Sequence, residues 1–240
     1  MAKLKMSFQR YEKKYLLSGE RMEVLWKDLE PKLMPDVFFQ STVCSMYYDW
    51  EDFRLIRESI EKPLYREKLR LRSYGVPAAD GPVFLELKRK FKGIVYKRRV
   101  QMSAQAGEDY VLGRGPGPQD SQIARELDWF LRCNPVRPSI VIACERKAYV
   151  AREDPELRIT FDSHIRWRDT ELSLMAGDHG RELLEPGEQL MEIKMPGVAP
   201  LWLADMLSQD EVYPRGFSKY GQCYKQGILE KYFDGVIGVV

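Results

Sequence analysis

Between Tyr65 and Gly75, Arg66, Lys68, Arg70 and Arg72 recur at every second residue, with Leu69 and Leu71 between them. Successive side chains of a β-strand point to opposite faces, so the four cations share one face and the two leucines occupy the other. Neighbours on such a face stand ~7 Å apart and repel by roughly 2 kcal/mol per pair at an effective dielectric of about 20. Something anionic must therefore lie close by. The runs Phe84–Lys90 and Val95–Val100 repeat the bias: from Lys62 to Arg99 there are twelve Lys/Arg against three Asp/Glu, whereas the whole chain has 38 against 36. Cross-strand pairing with Glu67, Glu86 and Glu192 is the ordinary explanation of such cations. It serves for Lys68, Arg89 and Arg98, but a fourfold excess exceeds what it can neutralise.

Other catalytic groups are scarce. The only histidines are His164 and His179, not in a metal-type H-x-x-x-H spacing, and no Gly-x-Ser-x-Gly occurs. Acyl transfer and zinc chemistry fall away. Phosphoryl transfer remains, because it relies on positioning and charge neutralisation more than on covalent catalysis. A phosphate nucleophile is already ionised near neutral pH and needs no base. Arginine offers planar forks to phosphate oxygens and lysine a compact charge, each charge-assisted bond being worth roughly 1.5–3 kcal/mol. A carboxylate among them can hold Mg²⁺ or Mn²⁺ through oxygen, with substrate phosphates completing the shell. Glu192 is the first candidate, with Glu12 and Glu86 behind it. The run Gly113–Pro118 looks like a phosphate-cradling loop, but Pro116 and Pro118 remove the amide donors such a loop needs, and it reads as a plain loop.

The elements that must carry these residues follow from periodicity and breakers. Ser7 to Leu17 reads as a strand with Arg10, Glu12 and Lys14 on one face. A helix follows from about Glu20 to Leu33, and then a strand from Thr42 to Trp50. Asp49 or Asp52 caps a short helix that Pro63 stops. Three strands come next: Tyr65–Gly75, Val83–Lys90 and Ile94–Met102, the last two joined by a hairpin at Phe91-Lys92-Gly93. Helices run from Ser103 to Leu112 and from Asp120 or Ser121 to Cys133. Long strands span Pro138–Val150, with Arg146 in phase with Ala148 and Val150, and Leu157–Arg168, with Arg158 in phase with Thr160, Asp162, His164, Arg166 and Arg168. Short strands surround Gly177-Asp178, and Gln189–Met195 is the last strand. Pro200 opens a helix through Leu207, and a final helix runs from Ser218 to Tyr232, with Ser218 as N-cap and Lys219 in its first turn. Amides and dipole at that end attract anions, although a capped surface helix with a solvated lysine accounts for the same residues. About eight strands with one charged and one apolar side predict an α+β fold: an antiparallel barrel with a polar lumen and helices packed outside.

Composition sets the bounds. At 240 residues, with 44% hydrophobic and 31% charged residues, the chain suits a single folded domain spanning 1–240. A net charge of +2 argues against a general nucleic-acid-binding surface. The four cysteines lack C-x-x-C spacing and read as reduced thiols in the cytoplasm. Neither a signal peptide nor a membrane-spanning run is present in the sequence.

These residues together resemble the catalytic domain of the vacuolar transporter chaperone (VTC) family, polyphosphate polymerases within the triphosphate tunnel metalloenzyme, or CYTH-like, superfamily. The resemblance runs from Phe8 to about Tyr224. It rests on Arg10-x-Glu12-x-Lys14-Tyr15, Tyr47-Tyr48-Asp49, Arg66–Gly75, Phe84–Lys88, Tyr96–Arg99, Leu157–Asp162, Met191–Lys194 and Phe217–Tyr220 in that order. It implies an eight-stranded tunnel that binds ATP and a divalent metal, preferably Mn²⁺, and moves the γ-phosphate onto a growing polyphosphate chain. By motif, Lys14, Arg70, Arg72, Lys88, Lys97, Arg146 and Arg158 would line the tunnel and bind phosphates, and Glu192 would hold the metal. Ser218 and Lys219 would meet phosphate at one mouth. Catalysis would rest chiefly on Arg70, Arg72, Lys88, Arg158 and Lys219.

Superfamily hydrolases begin Glu-x-Glu-x-Lys. Here Arg10 replaces the first glutamate, which favours the polymerase branch. Cys144 stands where the family often places a tyrosine. Eukaryotic members carry regulatory and membrane-spanning domains that this sequence lacks, so transport would need a separate membrane protein. A triphosphate hydrolase and a non-catalytic polyphosphate-binding module are the alternatives on the same fold.

Overall fold

The computed structural model describes residues 11–92 and 94–233. Residues 7–10 of the expected first strand, Arg10 among them, lie outside the described residues. Strand β1 (Tyr11–Leu17) leads to helix α1 (Gly19–Leu29), whose N-cap Ser18 accepts from the Arg21 amide. The helix ends four residues earlier than expected. Pro31, which has no N–H to donate, sits in a 3₁₀ turn (Glu30–Lys32), and strand β2 starts at Leu33 and runs 17 residues to Asp49. The expected strand covered only its second half.

Helix α2 (Arg54–Glu61) follows, then strands β3 (Tyr65–Tyr74), β4 (Pro82–Phe91) and β5 (Ile94–Ser103). Serine hydroxyls cap the next two helices as expected: Ser103 caps α3 (Ala104–Val111) and Ser121 caps α4 (Gln122–Cys133). Strands β6 (Arg137–Ala151) and β7 (Arg158–Arg168) come next. Of the short strands expected around Gly177, the structure has one two-residue strand, β8 (Arg181–Glu182), preceded by a 3₁₀ turn at Leu174–Ala176. Strand β9 (Gln189–Met195) matches its expected bounds. Helix α5 (Leu201–Gln209) has Pro200 at its N-cap, one residue outside the first turn. The last helix is continuous in sequence but changes winding: α6 (Lys219–Cys223), a π-helical turn (Tyr224–Ile228) and α7 (Leu229–Phe233).

The strands form an antiparallel sheet in the order β1-β9-β7-β6-β2-β3-β4-β5, with β8 on β7. Its terminal strands are β1 and β5, and no ladder joins those two among the described residues. The chain divides into two compact units. Of the described residues, the first holds 11–41, Glu145–His164 and Leu184–Phe217; the second holds those of Thr42–Cys144, Ile165–Leu183 and 218–233.

Each unit follows the same two-residue rule. In the first, Tyr15, Leu17, Ile159, Phe161, Met191, Ile193 and Met195 project to a core that α1 and α5 cover with Leu25, Leu29, Leu203 and Leu207. Glu12 and Lys14 of β1, Arg158, Thr160 and Asp162 of β7, and Glu192 and Lys194 of β9 alternate with them. In the second, Met46, Tyr48, Leu69, Leu71, Val83, Leu85 and Leu87 form the apolar face, packed with Tyr110, Val111, Leu127 and Phe130 of α3 and α4. Gly107 lets α3 approach the sheet: a Cβ there would stand 3.0 Å from Leu71 Cδ1 and 3.2 Å from Val83 Cγ2. Among the described residues all four cysteines are free, as expected, and no helix is long and apolar enough to cross a membrane.

Candidate phosphate-binding site

The hairpin register of the second unit gathers its cations on one side of the sheet. Directly opposed residues share a face: Arg70 opposes Glu86, Lys68 opposes Lys88 and Arg66 opposes Lys90 across β3 and β4, and Glu86 opposes Arg99 and Lys88 opposes Lys97 across β4 and β5. With Arg72, eight Lys/Arg therefore share one face with a single carboxylate, Glu86. The leucines of the same strands occupy the other face, which is why the hydrophobic pattern leaves no freedom to turn the cations elsewhere.

Glu86 is almost fully buried and is held by three cations: Arg70 at 2.7 Å, Lys97 at 2.5 Å and Arg99 at 3.3 Å. Burial alone would raise its pKa. Arg70, Arg72 and Lys97 overcome that and hold the carboxyl at about 2. The Lys97 pKa moves down, through burial and through Arg70 and Arg72, despite Glu86. Arg99 lies flat on Phe84, its guanidinium carbon 3.5 Å from the ring centroid, and its Nε and one terminal nitrogen are buried without a hydrogen bond. Arg72 donates to Ser45 Oγ at 3.2 Å. Exposed Lys88 has no partner among the described residues. The face keeps a large positive excess after every carboxylate on it has been used.

Arg70 is further fixed by Tyr47, whose hydroxyl oxygen accepts from the guanidinium at 3.2 Å. Burial works against the charge on Arg70, but Tyr47 and Glu86 more than offset it and push its pKa up. The Tyr47 ring stacks on Tyr220 of α6, centroids 4.9 Å apart. Tyr220 donates its hydroxyl hydrogen to Asp49 Oδ2 and lies 2.8 Å from Ser139 Oγ. The N-cap of α2 is Phe53, not Asp49 or Asp52 as expected, but Asp49, fully buried, reaches the helix from the end of β2 and accepts from the first-turn amides of Leu55 and Ile56. Ser218 caps α6 by accepting from Gly221 N, and its hydroxyl oxygen accepts from Lys68 Nζ at 3.0 Å. Lys219 occupies the first helical position beside it. On the opposite side of the hairpin, Arg89 pairs with Glu67 and Glu126, and Arg98 pairs with Glu126, the ordinary lattice expected of those two.

The first unit holds the remaining candidates in a different balance. Lys14 lies between Glu192 at 3.0 Å and Glu12 at 3.3 Å. Arg146 makes two 2.6 Å bonds to Asp162, which is wholly buried, and lies 3.6 Å from Glu192. Lys194 stands 3.9 Å from Glu192, and Arg158 is paired with Asp36. Four cations and four carboxylates are thus matched. Asp36 was invisible as a partner because the sequence hides the first half of β2, and Asp162 was legible only as a residue in phase with Arg158. Arg166 and Arg168, expected in that same phase, serve another purpose: in the second unit they hold the segment 171–179 through Asp178 and the carbonyls of Glu171, Ser173 and His179. His164, at φ 46, breaks the alternation ahead of them.

Among the described residues no group of three or more His, Cys, Asp or Glu side chains converges as a metal cage. A hard divalent ion held by one or two carboxylates and completed by phosphate oxygens requires less. Glu192 and Glu12, both on Lys14, supply such a pair. Thr160, opposite Glu192 in the β7–β9 register, has a buried hydroxyl oxygen without a hydrogen-bond partner. That donor set fits the ion. Glu86 fits it less well, because the electropositive face around it repels a dication.

A family model of the VTC domain matches residues 9–228, across both units. The chain belongs to the VTC domain family. No curated protein matches it. Among solved structures, the VTC domain is similar to a candidate adenylate cyclase of Bacillus halodurans, with a TM-score of 0.54 and 13% identity over 92% of this chain and 96% of that one. It is also similar to a candidate adenylyl cyclase of Hippeastrum described as having a dominant triphosphatase activity, with a TM-score of 0.51 and 14% identity over 90% of this chain and 95% of that one. At these identities the likeness shows the fold, that of the triphosphate tunnel proteins.

Proposed function

We propose that this VTC domain is a metal-dependent phosphotransferase that moves the γ-phosphate of ATP onto a polyphosphate chain. The observation that carries the reading is the second-unit face, where eight Lys/Arg surround one carboxylate. A ligand with many negative charges would neutralise such a face, and membership of the VTC family supports polyphosphate or triphosphate as that ligand.

The residues divide the work by chemistry. Arg70, braced by Glu86 and Tyr47, and Arg72, braced by Ser45, present planar forks to phosphate oxygens. Lys88 and Lys97 add compact charges on the neighbouring strands, and Lys219 adds one at the start of α6 beside Ser218. In the first unit, Lys14, Arg146 and Arg158 are the proposed phosphate ligands, and Glu192 with Glu12 is the carboxylate pair proposed to hold the metal. When bound, Mn²⁺ or Mg²⁺ supplies neutralisation of phosphate oxygens. The attacking group, the terminal phosphate of the chain, is ionised near neutral pH, so no side-chain base is needed to activate it. We place the protein in the cytoplasm.

Hydrolysis of triphosphate on the same fold is the second reading, favoured by the activity described for the Hippeastrum protein. Incubation of the purified protein with ATP and Mn²⁺ separates the two. A ladder of long, acid-labile phosphate chains is expected. Free phosphate alone would establish hydrolysis, and tight polyphosphate binding without turnover would leave a binding module.

A further inference from the structure

We propose that Tyr47 is a positioning residue of the cationic face: clamped between Tyr220 and Arg70, its phenol oxygen holds the Arg70 guanidinium in place and serves as a built-in counter-group that arriving phosphate oxygens must electrostatically replace. The inference rests on the reading of this face as a phosphate site.

The geometry is specific. Tyr47 is 9% exposed, stacked at an interplanar angle of 27° on Tyr220, and its hydroxyl accepts from Arg70 Nη1 at 3.2 Å. The clamp is itself anchored, because Tyr220 is buried and bonded to Asp49 and Ser139. Tyr47 therefore cannot swing away from Arg70 without breaking a buried network, and Arg70 is gripped from both sides, by Tyr47 and by Glu86. A bidentate phosphate ligand works only when its fork is held, and that is what this arrangement does.

The groups facing Tyr47 are Arg70, Arg72 and Lys68 of β3 and Tyr220 of α6, with Glu86 of β4 reached through Arg70. Burial would raise the phenol pKa, but Arg70, Arg72 and Lys68 bring it down to about 8. Near that pH a fraction of Tyr47 is phenolate, which offsets part of the excess positive charge. A polyanion seated on the same cations cancels the field that favours the phenolate, so the proton returns to Tyr47 on binding. The hydrogen bond from Arg70 then weakens as the guanidinium turns to phosphate.

The test uses the whole protein and tripolyphosphate as probe. Phenolate ultraviolet absorbance is titrated against pH, with and without tripolyphosphate, in the wild type and in Tyr47→Phe. The wild type is expected to show a phenolate with a midpoint near 8 that shifts upward with tripolyphosphate. Tyr47→Phe should lack that transition and bind tripolyphosphate about tenfold more weakly, the cost of leaving Arg70 unbraced. In turnover, kcat should fall more than KM rises, and the alkaline limb of the pH profile should move. The wild-type titration does not depend on how the variant folds. If the wild type binds tripolyphosphate with no change in phenolate absorbance, or if both proteins bind equally with the same pH dependence, the role of Tyr47 is overturned while the phosphate reading stands. If the wild type does not bind tripolyphosphate, the phosphate reading falls and this inference with it.

Discussion

The two charged strand faces of this molecule are built from the same alternation and end in opposite electrostatic states. In the first unit, Lys14, Arg146, Arg158 and Lys194 meet Glu12, Asp36, Asp162 and Glu192 in near-complete pairing. In the second, eight cations lie on one face with Glu86, which pairs with three of them. A matched cluster gains its energy within the folded protein. An unmatched one stores repulsion, which a ligand relieves. The difference separates residues whose removal costs stability as well as binding from residues whose removal costs binding alone, although their types and exposures are alike.

The sharpest consequence concerns Arg146. Its loss leaves Asp162 wholly buried without its bidentate partner, and Arg146→Ala should cost about 3–5 kcal/mol in denaturant unfolding. A cost below about 1 kcal/mol would erase the distinction between the faces.

Arg70→Ala, by contrast, leaves Glu86 with Lys97 and Arg99. Activity per folded molecule should fall about a hundredfold, the loss of two charge-assisted phosphate bonds, with little change in Tm. Arg158→Ala is expected to behave as a member of the first face and lower Tm, because Asp36 is left behind. Equal loss of Tm in the Arg70 and Arg158 variants would break the comparison.

Glu86 offers a test by pH. Its carboxyl is depressed in the folded protein, so its stabilisation is complete above the ordinary value of 4.5 and is lost as pH falls toward about 2. The shift corresponds to about 3 kcal/mol. The stability gap between wild type and Glu86→Gln should therefore be widest above pH 5 and close as the pH falls through that window. A gap that does not change with pH would remove Glu86 from its role as the shared anion.

The smallest expected effect belongs to Lys88, an exposed cation of the second face without a partner among the described residues. Lys88→Ala should weaken tripolyphosphate binding about tenfold and leave stability unchanged or slightly raised, as read by calorimetry and a thermal melt. A loss of stability would show that Lys88 supports the fold rather than a ligand.

Much of the second unit was legible in advance. The alternation of Leu69 and Leu71 with Arg70 and Arg72 specifies strand and face together, and the short turn after Phe91 brings β5 into place. The serine caps were equally plain, because their hydroxyls act within a few residues. Partnerships across long stretches of chain were not. The stack of Tyr47 on Tyr220 and the bonds of Arg146 to Asp162 depend on register, which local pattern does not encode. The first half of β2 was hidden because the helix was expected to run through Pro31 to Leu33 and Pro35 interrupts the strand pattern after it. The structure tolerates Pro35 near the start of the strand, where its missing N–H costs least. Asp36 was lost with it, and Arg158 looked freer than it is.

The most direct test of the contrast is a crystal structure of the protein soaked with tripolyphosphate. Phosphate oxygens should lie within hydrogen-bonding distance of Arg70, Arg72, Lys88 and Lys97, with the Arg146–Asp162 pair intact. Phosphates bound away from β3, β4 and β5, with the second-unit cations turned to solvent, would contradict the assignment of this face.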